Sequence, residues 1–272
     1  MFEKLFGRWK KDGKGSVDVF AKWNDLPADK KKSVDDKALV IQQTMFGKKG
    51  VAELHAVSRV GKRPKPSTYK SVQFDSLGWK QERNVEGDMC LYHNEIGDYL
   101  TIQAIQPNGR LEPGGSTDID TYRDWIRSLV VDEDGGLISC EQISRPDRFD
   151  AYESITKVAR KETTGVDYTY LLNLQHYGEQ LLYQLIVRVH ELSPTGVRDN
   201  TLMSPICDVM EMDMTEVAKY YRQDPYNSGF TKGNVRNLSE LEAFDHLYPF
   251  HPLSAIRQVI RPRLLKSVRL KN

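Results

Sequence analysis

Two strand patterns near the middle of the chain, Tyr168 to Leu174 and Gln180 to His190, constrain the fold most strongly. Both are rich in Tyr, Leu, Ile and Val, the residue types that suit a pleated, half-buried strand. The five residues between them, 175–179, include Gly178 and can turn the chain back on itself. We therefore predict an antiparallel hairpin here.

Similar patterns on either side extend this hairpin into a sheet. Met89 to His93 and Tyr99 to Ile105 flank a short loop that contains Gly97, which predicts a second hairpin. Leu137 to Ile143 and Ala151 to Ala159 flank the turn around Pro146. We predict that residues 69–192 form one antiparallel sheet.

Helical patterns interrupt and follow these strands. Thr117 to Asp120 has the spacing of a capping box, and five apolar side chains then share one helical face: Ile119, Tyr122, Ile126, Leu129 and Val130. Ser204 and Pro205 suggest the start of a later helix. The chain is therefore predicted to be α+β, an antiparallel sheet with packed helices in an α/β/α sandwich-like arrangement and with helical extensions at both termini.

Charge is distributed unevenly along the chain and suggests three segments. The net charge is +1, which argues against a globally basic nucleic-acid binder. Residues 1–70 nevertheless carry a net charge of +9, residues 71–230 one of −13 and residues 231–272 one of +5. With the Pro-containing connector at 61–68, we predict a basic, mainly helical extension (1–68), a sheet domain (69–223), and a C-terminal loop and basic helix that pack on the body (224–272).

The two basic ends are the candidate contact surfaces. At the N-terminus, apolar side chains share one face of a short amphipathic turn: Phe2, Leu5, Phe6 and Trp9. Near the C-terminus, Arg257, Arg261 and Arg269 alternate with Ile, Leu and Val. Either end can dock on the acidic body in cis, or meet an acidic protein or an anionic membrane. We expect cis docking for the C-terminal helix.

Features that bear on the cell compartment are few. Residues 1–11 lack the apolar run of a secretory signal, and no apolar stretch is long enough to span a membrane. Cys90, Cys140 and Cys207 are widely spaced, so we expect free thiols in a reducing cytoplasm.

Candidate catalytic groups do not form a recognisable pattern. Cys90 and His93 lie three positions apart on a strand, so they face opposite sides of it, and Asp98 does not complete a nucleophile site. Asp118, Asp120 and Asp124 do not have the spacing of a calcium loop. We therefore predict no catalytic residue, no metal site and no cofactor, although a site assembled from loops stays possible.

The order of elements resembles the PsbP/DcrB-like α/β/α sandwich superfamily over residues 69–215. The similar pieces are Trp79, the strand Gly97 to Ile102, the helix Ile119 to Ile126 and the hairpin Tyr168 to Val189. The resemblance implies a binding module: members include extrinsic photosystem subunits, a Ran-GTPase-binding import factor, bacterial lipoproteins and chaperones of type VI secretion effectors. It supplies no catalytic residue to carry over.

These observations favour a non-catalytic protein-binding, adaptor or chaperone-like module in a bacterial cytoplasm. The expected partner is a protein, with an anionic membrane surface as a second possibility, and the oligomeric state stays open. Two other functions also stay open: a peripheral membrane protein anchored by the N-terminal aromatic and basic turn, and a hydrolase or transferase with a loop-borne site.

Overall fold

A seven-stranded antiparallel sheet forms the centre of the protein. The computed structural model describes residues 23–34, 69–82, 89–95, 97–105, 118–145, 149–160, 165–176, 180–191 and 195–270. The strand order is β2-β3-β4-β8-β7-β6-β5, and a separate two-stranded ribbon pairs β1 with β9. The strands are β1 (Val72–Gln73), β2 (Lys80–Gln81), β3 (Met89–His93), β4 (Tyr99–Ile105), β5 (Gly135–Ile143), β6 (Phe149–Ala159), β7 (Val166–His176), β8 (Leu181–His190) and β9 (Arg269–Leu270).

The three hairpins expected from the sequence are confirmed. β7 and β8 pair with Tyr168 opposite Val189, β3 and β4 pair with Cys90 opposite Ile102, and β5 and β6 pair antiparallel across the turn after Ile143. Beyond these local pairs, β8 returns to lie beside β4. This long-range pairing joins the hairpins into one sheet and confirms the α+β class.

In sequence, one of the described helices precedes the strands of the sheet, one lies between two of its hairpins, and the others follow its last strand. They are α1 (residues 28–34), α2 (Ile119–Val130), α3 (Val197–Met210), α4 (Met214–Tyr220), α5 (Pro252–Ala255) and α6 (Arg261–Ser267). A π-helical turn, Ile256–Ile260, joins α5 to α6. We call residues 252–267 the C-terminal helical segment.

Two of the predicted helices begin at a different residue from the one expected. The N-cap of α2 is Asp118, whose carboxylate accepts a hydrogen bond from the backbone N–H of Thr121, one residue later than the capping box starting at Thr117. Pro205 lies inside α3 instead of at its first turn. The turns before Pro205 are held by the fully buried side chain of Leu202 and by Arg198, so tertiary contacts override the local stop signal.

The inner face of the sheet, defined as the face that meets the C-terminal helical segment, carries the largest core. Tyr170, Leu172 and Leu185 are fully buried there. The C-terminal helical segment covers them with four buried side chains: Leu253, Ile256, Ile260 and Leu264. We expect apolar burial at this interface to be the main force that holds the C-terminal residues to the sheet.

A second core lies beside the first and includes residues before the sheet. Trp23, Leu26 and Val34 pack with α3 and with Phe244, and the Trp23 and Phe244 rings are 4.7 Å apart. Residues from all three segments of the chain therefore contribute side chains to buried clusters.

Buried ion pairs join the sheet to α3 and to the chain that leads into the C-terminal helical segment. Lys157 of β6 lies 2.7 Å from Glu240, and both side chains are nearly inaccessible. Arg198 of α3 lies 2.8 Å from Asp245 and also donates to Ser254. Removing one member of either pair would leave a buried charge uncompensated, so the loss of a pair should be strongly destabilising.

The outer face of the sheet is covered on one side by α2. Tyr122 and Ile126 pack on Leu137, Cys140 and Tyr152 of β5 and β6.

The edge of the sheet at β5 is closed by residues 224–236. The Asn234 N–H donates to the Gly135 carbonyl, and the Tyr226 hydroxyl accepts a hydrogen bond from the Cys140 N–H. A Cβ at Gly136 would lie 2.0 Å from the Asn234 carbonyl oxygen, so only glycine permits this approach.

Candidate functional site

On the outer face, the strand register places side chains of neighbouring strands in rows that run across the sheet. One row runs Leu91, Thr101, Ile186, Leu171 and Ser154 across five strands. Directly paired residues of an antiparallel sheet share a face. The neighbouring rows lie two residues away along each strand. One contains Met89, Gln103, Gln184, Asn173 and Tyr152, and the other contains His93, Tyr99, Arg188, Thr169 and Thr156. A fourth row contains Ile105, Leu182, Gln175 and Asp150.

Burial changes along each row from one side of the sheet to the other. In the row of Met89, Tyr152 and Asn173 are 0% and 1% exposed because they lie beneath α2. Gln184, Gln103 and Met89, further along the same row, are only half-buried. On the outer face, α2 thus covers β5, β6 and part of β7, and it does not cover β3, β4 or β8.

We call the part that no described helix covers the open strip. It consists of the outer-face side chains of β3, β4 and β8: Met89, Leu91, His93, Tyr99, Thr101, Gln103, Ile105, Leu182, Gln184, Ile186 and Arg188. Tyr99 and Thr101 are buried and the others are half-buried. Its five aliphatic or thioether side chains belong to none of the hydrophobic clusters formed by the described residues.

One flank of α2 is turned away from the β5 edge of the sheet. Residues of a helix are about 100° apart around its axis, so Trp125 and Leu129 lie on the opposite flank from Arg123 and Arg127. The arginines point to the β5 edge, where Arg123 donates to the Cys140 carbonyl at 3.2 Å and Arg127 to Asp224 at 2.9 Å. Trp125 and Leu129, 41% and 51% exposed, therefore lie on the flank of α2 that is turned away from the β5 edge.

The open strip alternates apolar and polar rows. Gln103 donates to Gln184 at 2.7 Å, which joins β4 to β8 through their side chains. Arg188 donates to the Thr169 hydroxyl at 3.3 Å. The rows before and after the glutamine row supply aliphatic side chains, so the surface offers hydrogen-bonding amides between two apolar bands.

The electrostatic character of the open strip differs from that of the acidic body. None of its eleven side chains is a carboxylate. Its row of His93 and Arg188 continues onto β2, where Lys80 pairs opposite His93 and is exposed. Arg188 and Lys80 therefore supply two cationic side chains at one end of the strip.

A small open cavity lies elsewhere, at the edge of the inner face. Its volume is about 220 Å³, and it is lined by Tyr69, Lys70, Val72, Phe74, Gln81 and Tyr92. Gln81 donates to the Cys90 thiol at 3.0 Å, and burial raises the pKa of Tyr92 to about 12. The cavity is smaller than most small-molecule sites.

The structure does not bring the predicted contact residues Arg257, Arg261 and Arg269 to the open strip. Phe2, Leu5, Phe6 and Trp9 lie outside the described residues. The side chains of Arg257 and Arg261 form ion pairs on the inner side of the sheet.

Both of these arginines pair with acidic residues, Arg257 with Asp245 of the same C-terminal segment and Arg261 with Glu153 of the sheet domain. Arg257 lies 3.3 Å from Asp245, and burial lowers its pKa. Arg261 donates to the Glu153 carboxylate at 2.8 Å. The third predicted residue, Arg269, is exposed and donates to Gln73 across the β1–β9 ribbon at 3.3 Å.

The groups considered for chemistry have structural roles. Cys90 is buried and faces the inner side, whereas His93 belongs to the outer face, as their spacing indicates. Asp120 and Asp124 pair with the arginines one turn later, Arg123 and Arg127. Within the described ranges no cluster of His, Cys, Asp and Glu side chains is suited to a metal ion.

The three cysteines are buried free thiols, as expected from their spacing. Burial raises the pKa of Cys140 to about 12, which makes its thiolate inaccessible near neutral pH.

The open strip was missed by the sequence analysis, although the sequence carries a signal for it. Leu182 and Ile186 alternate with Leu181, Tyr183, Leu185 and Val187, so β8 is apolar on both faces. This pattern indicates a strand covered on two sides, and the described helices cover only one side of β8.

No helix among the described residues is both long and apolar enough to cross a membrane. A scan against models of known protein families finds no match, and a search of curated proteins finds none either.

Proposed function

We propose that this protein is a non-catalytic protein-binding module, an adaptor or chaperone-like holder, that binds a segment of a separate protein on the open strip. One observation carries the proposal: two bands of aliphatic side chains on the outer face, Leu91 with Ile186 and Ile105 with Leu182, lie outside every described hydrophobic cluster. Apolar side chains that stay half-buried outside the described cores are a common feature of interaction sites.

The shape and chemistry of the open strip favour a protein as the ligand. Small-molecule sites are concave and enclosed, whereas the strip is the broad face of three strands. Its amide row, Gln103 and Gln184, lies between apolar bands and provides hydrogen-bonding groups within the contact area. Protein interfaces combine apolar and hydrogen-bonding groups in this way.

Charge favours a separate protein over the chain itself. Lys80, His93 and Arg188 line one end of the strip, which holds no carboxylate. Residues 1–70 carry a net charge of +9 and would be repelled there.

Site-specific photo-crosslinking tests the proposal on the full-length chain. Benzoylphenylalanine is placed at position 186 in the open strip, or at position 259 as a control, since Val259 is an exposed aliphatic residue on the C-terminal helical segment. We expect position 186, and not position 259, to give an adduct with one defined peptide of another protein.

The identified partner is then purified and its affinity measured with two variants. Ile186→Asp should weaken binding at least tenfold, because it buries a carboxylate against the apolar band, and Val259→Asp should leave binding unchanged. Adducts at position 186 with residues 1–68, with a second copy of the chain, or with no protein at all would each overturn the proposal.

A further inference from the structure

We infer that the exposed side of the C-terminal helical segment, the side turned away from the sheet, binds an anionic membrane surface. We call this side, together with the residue that follows the segment, the basic face, and define it by Val259, Arg263, Lys266 and Arg269. It is separate from the open strip and takes a different class of partner, so the inference does not rest on the proposed function.

The two sides of the C-terminal helical segment differ in chemistry. Ile256, Ile260 and Leu264, spaced four residues apart, are buried against the sheet. Residues at this spacing share one side of a helix. The opposite side is exposed and consists of Gln258, Val259, Pro262, Arg263 and Lys266. The buried side holds the segment in place, and the exposed side is left for contact with another surface.

The charge of the chain beyond Asp245 has a single sign. Residues 246–272 contain six Lys or Arg and no Asp or Glu. Two of the arginines form the ion pairs on the inner side of the sheet. Lys266 has no ion-pair partner among the described residues, and Arg269 donates to the neutral side chain of Gln73. The described part of the protein therefore leaves these two charges uncompensated.

Arg263 adds a third cation that is paired weakly. Its guanidinium lies 2.9 Å from the Asp75 carboxylate, and the two side chains are 45% and 34% exposed. Ion pairs as exposed as this one contribute little free energy. A guanidinium also matches the geometry of a phosphate. Arg263 can therefore exchange Asp75 for a lipid phosphate at small cost.

The acidic side chains of α2 lie on the other side of the sheet. α2 packs on the outer face, and it carries Asp120 and Asp124 after its N-cap Asp118. The basic face lies beyond the inner face, so the sheet and one helical layer stand between the two. That separation exceeds the Debye length of about 8 Å at physiological ionic strength. These carboxylates therefore add little repulsion to a membrane at the basic face.

Exposed apolar side chains favour a membrane among the anionic partners. Val259 is 49% exposed on the basic face, and Phe250, which precedes the segment, is 96% exposed. Binding at a membrane interface combines cations with apolar side chains that enter the headgroup region. The four residues of the basic face include no aromatic ring, whereas proteins that bind single-stranded nucleic acid stack bases on such rings.

Vesicle flotation with the full-length chain measures the affinity. The vesicles contain phosphatidylcholine with phosphatidylglycerol, and pure phosphatidylcholine vesicles are the uncharged reference. We expect binding to the anionic vesicles at low salt and its loss at about 0.5 M salt. Because one basic residue changes affinity for an anionic surface by about fivefold, Lys266→Glu combined with Arg269→Glu should weaken binding at least tenfold.

A second double variant controls for net charge. Lys32→Glu combined with Lys232→Glu changes the charge of the chain by the same amount, at exposed lysines of α1 and of residues 224–236. Circular dichroism confirms that both variants are folded. We expect the control to bind anionic vesicles within about twofold of the unmodified chain, since distant charges are screened. Equal losses in the two variants would overturn the basic face.

A fluorophore that responds to solvent polarity tests the orientation of the bound protein. It is attached at position 259 of the basic face or at position 129 of α2, where the native side chains are 49% and 51% exposed. We expect anionic vesicles to shift its emission to shorter wavelength at position 259 only. A shift at position 129, or at neither position, would overturn the inference.

Two further results would also overturn the membrane assignment. One is the absence of flotation with anionic vesicles at low salt. The other is polyuridylic acid that binds as tightly as the vesicles and displaces the chain from them, because the surface would then recognise negative charge in any form. Neither result bears on crosslinking at position 186, which tests the proposed function independently.

Discussion

Replacing Ile256 with alanine tests how the basic C-terminal helical segment is held on the body. Ile256 is 0% exposed and belongs to the inner-face core. Truncating such a side chain costs about 2–5 kcal/mol of unfolding free energy, from lost burial and from the cavity that remains. Proteins of this size have a stability of about 5–15 kcal/mol, so the loss is large.

The comparison variant removes charge and leaves the core intact. Arg269→Gln deletes an exposed guanidinium whose recorded partner is the neutral side chain of Gln73, so its cost should stay within about 0.5 kcal/mol. If burial holds the segment, the Ile256→Ala loss should be nearly the same at low salt and at about 0.5 M salt, where the Debye length is about 4 Å.

Urea unfolding, followed by circular dichroism at both salt concentrations, measures these differences. The reasoning is refuted if Ile256→Ala costs less than about 1 kcal/mol. It is equally refuted if that variant loses most of its effect at high salt, because charge attraction would then be the main force.

Three further predictions concern other parts of the molecule. Glu240→Gln should cost about 3–5 kcal/mol in urea unfolding because it leaves Lys157 buried without its counter-charge; a cost under 1 kcal/mol would contradict the role of this pair. Burial raises the pKa of Asp98 from 3.8 to about 6, so between these pH values the folded state binds more protons than the unfolded state. The free energy of unfolding therefore falls as pH rises through this interval. Asp98→Asn should remove this fall, which amounts to up to about 3 kcal/mol, and an unchanged pH profile would refute the assignment. If the N-terminal turn binds membranes, deleting residues 1–16 should reduce flotation with anionic liposomes at low salt, and equal flotation of both proteins rules this out.

The sheet could be predicted from the sequence because its hairpins are local. Tyr168 to Val189 and Cys90 to Ile102 pair across short connections, and strand patterns and turn residues are sufficient to place them. The pairing of β4 with β8 is different. It joins strands far apart in sequence, and nothing in either pattern specifies which strand lies beside the other.

The open strip and the helix starts depend on tertiary context and could not be placed from local patterns. Ile186 and Leu182 are apolar in a strand whose other face is core, but the sequence does not show which side α2 covers. Pro205 is a local signal for a helix start, yet Arg198 and Leu202 are buried before it and extend α3 toward its N-terminus. In both cases long-range packing decides the outcome.

The covering of the inner face by residues near the C-terminus has a consequence during synthesis. The strands of the sheet are complete once residue 190 has been made, whereas Leu253 to Leu264 must follow before Leu172 and Leu185 are covered. At about 5–20 residues per second, the ribosome needs several seconds for this interval. A broad apolar surface is exposed on the nascent chain during that time, so we expect the sheet to depend on a ribosome-associated chaperone until translation passes the C-terminal helical segment.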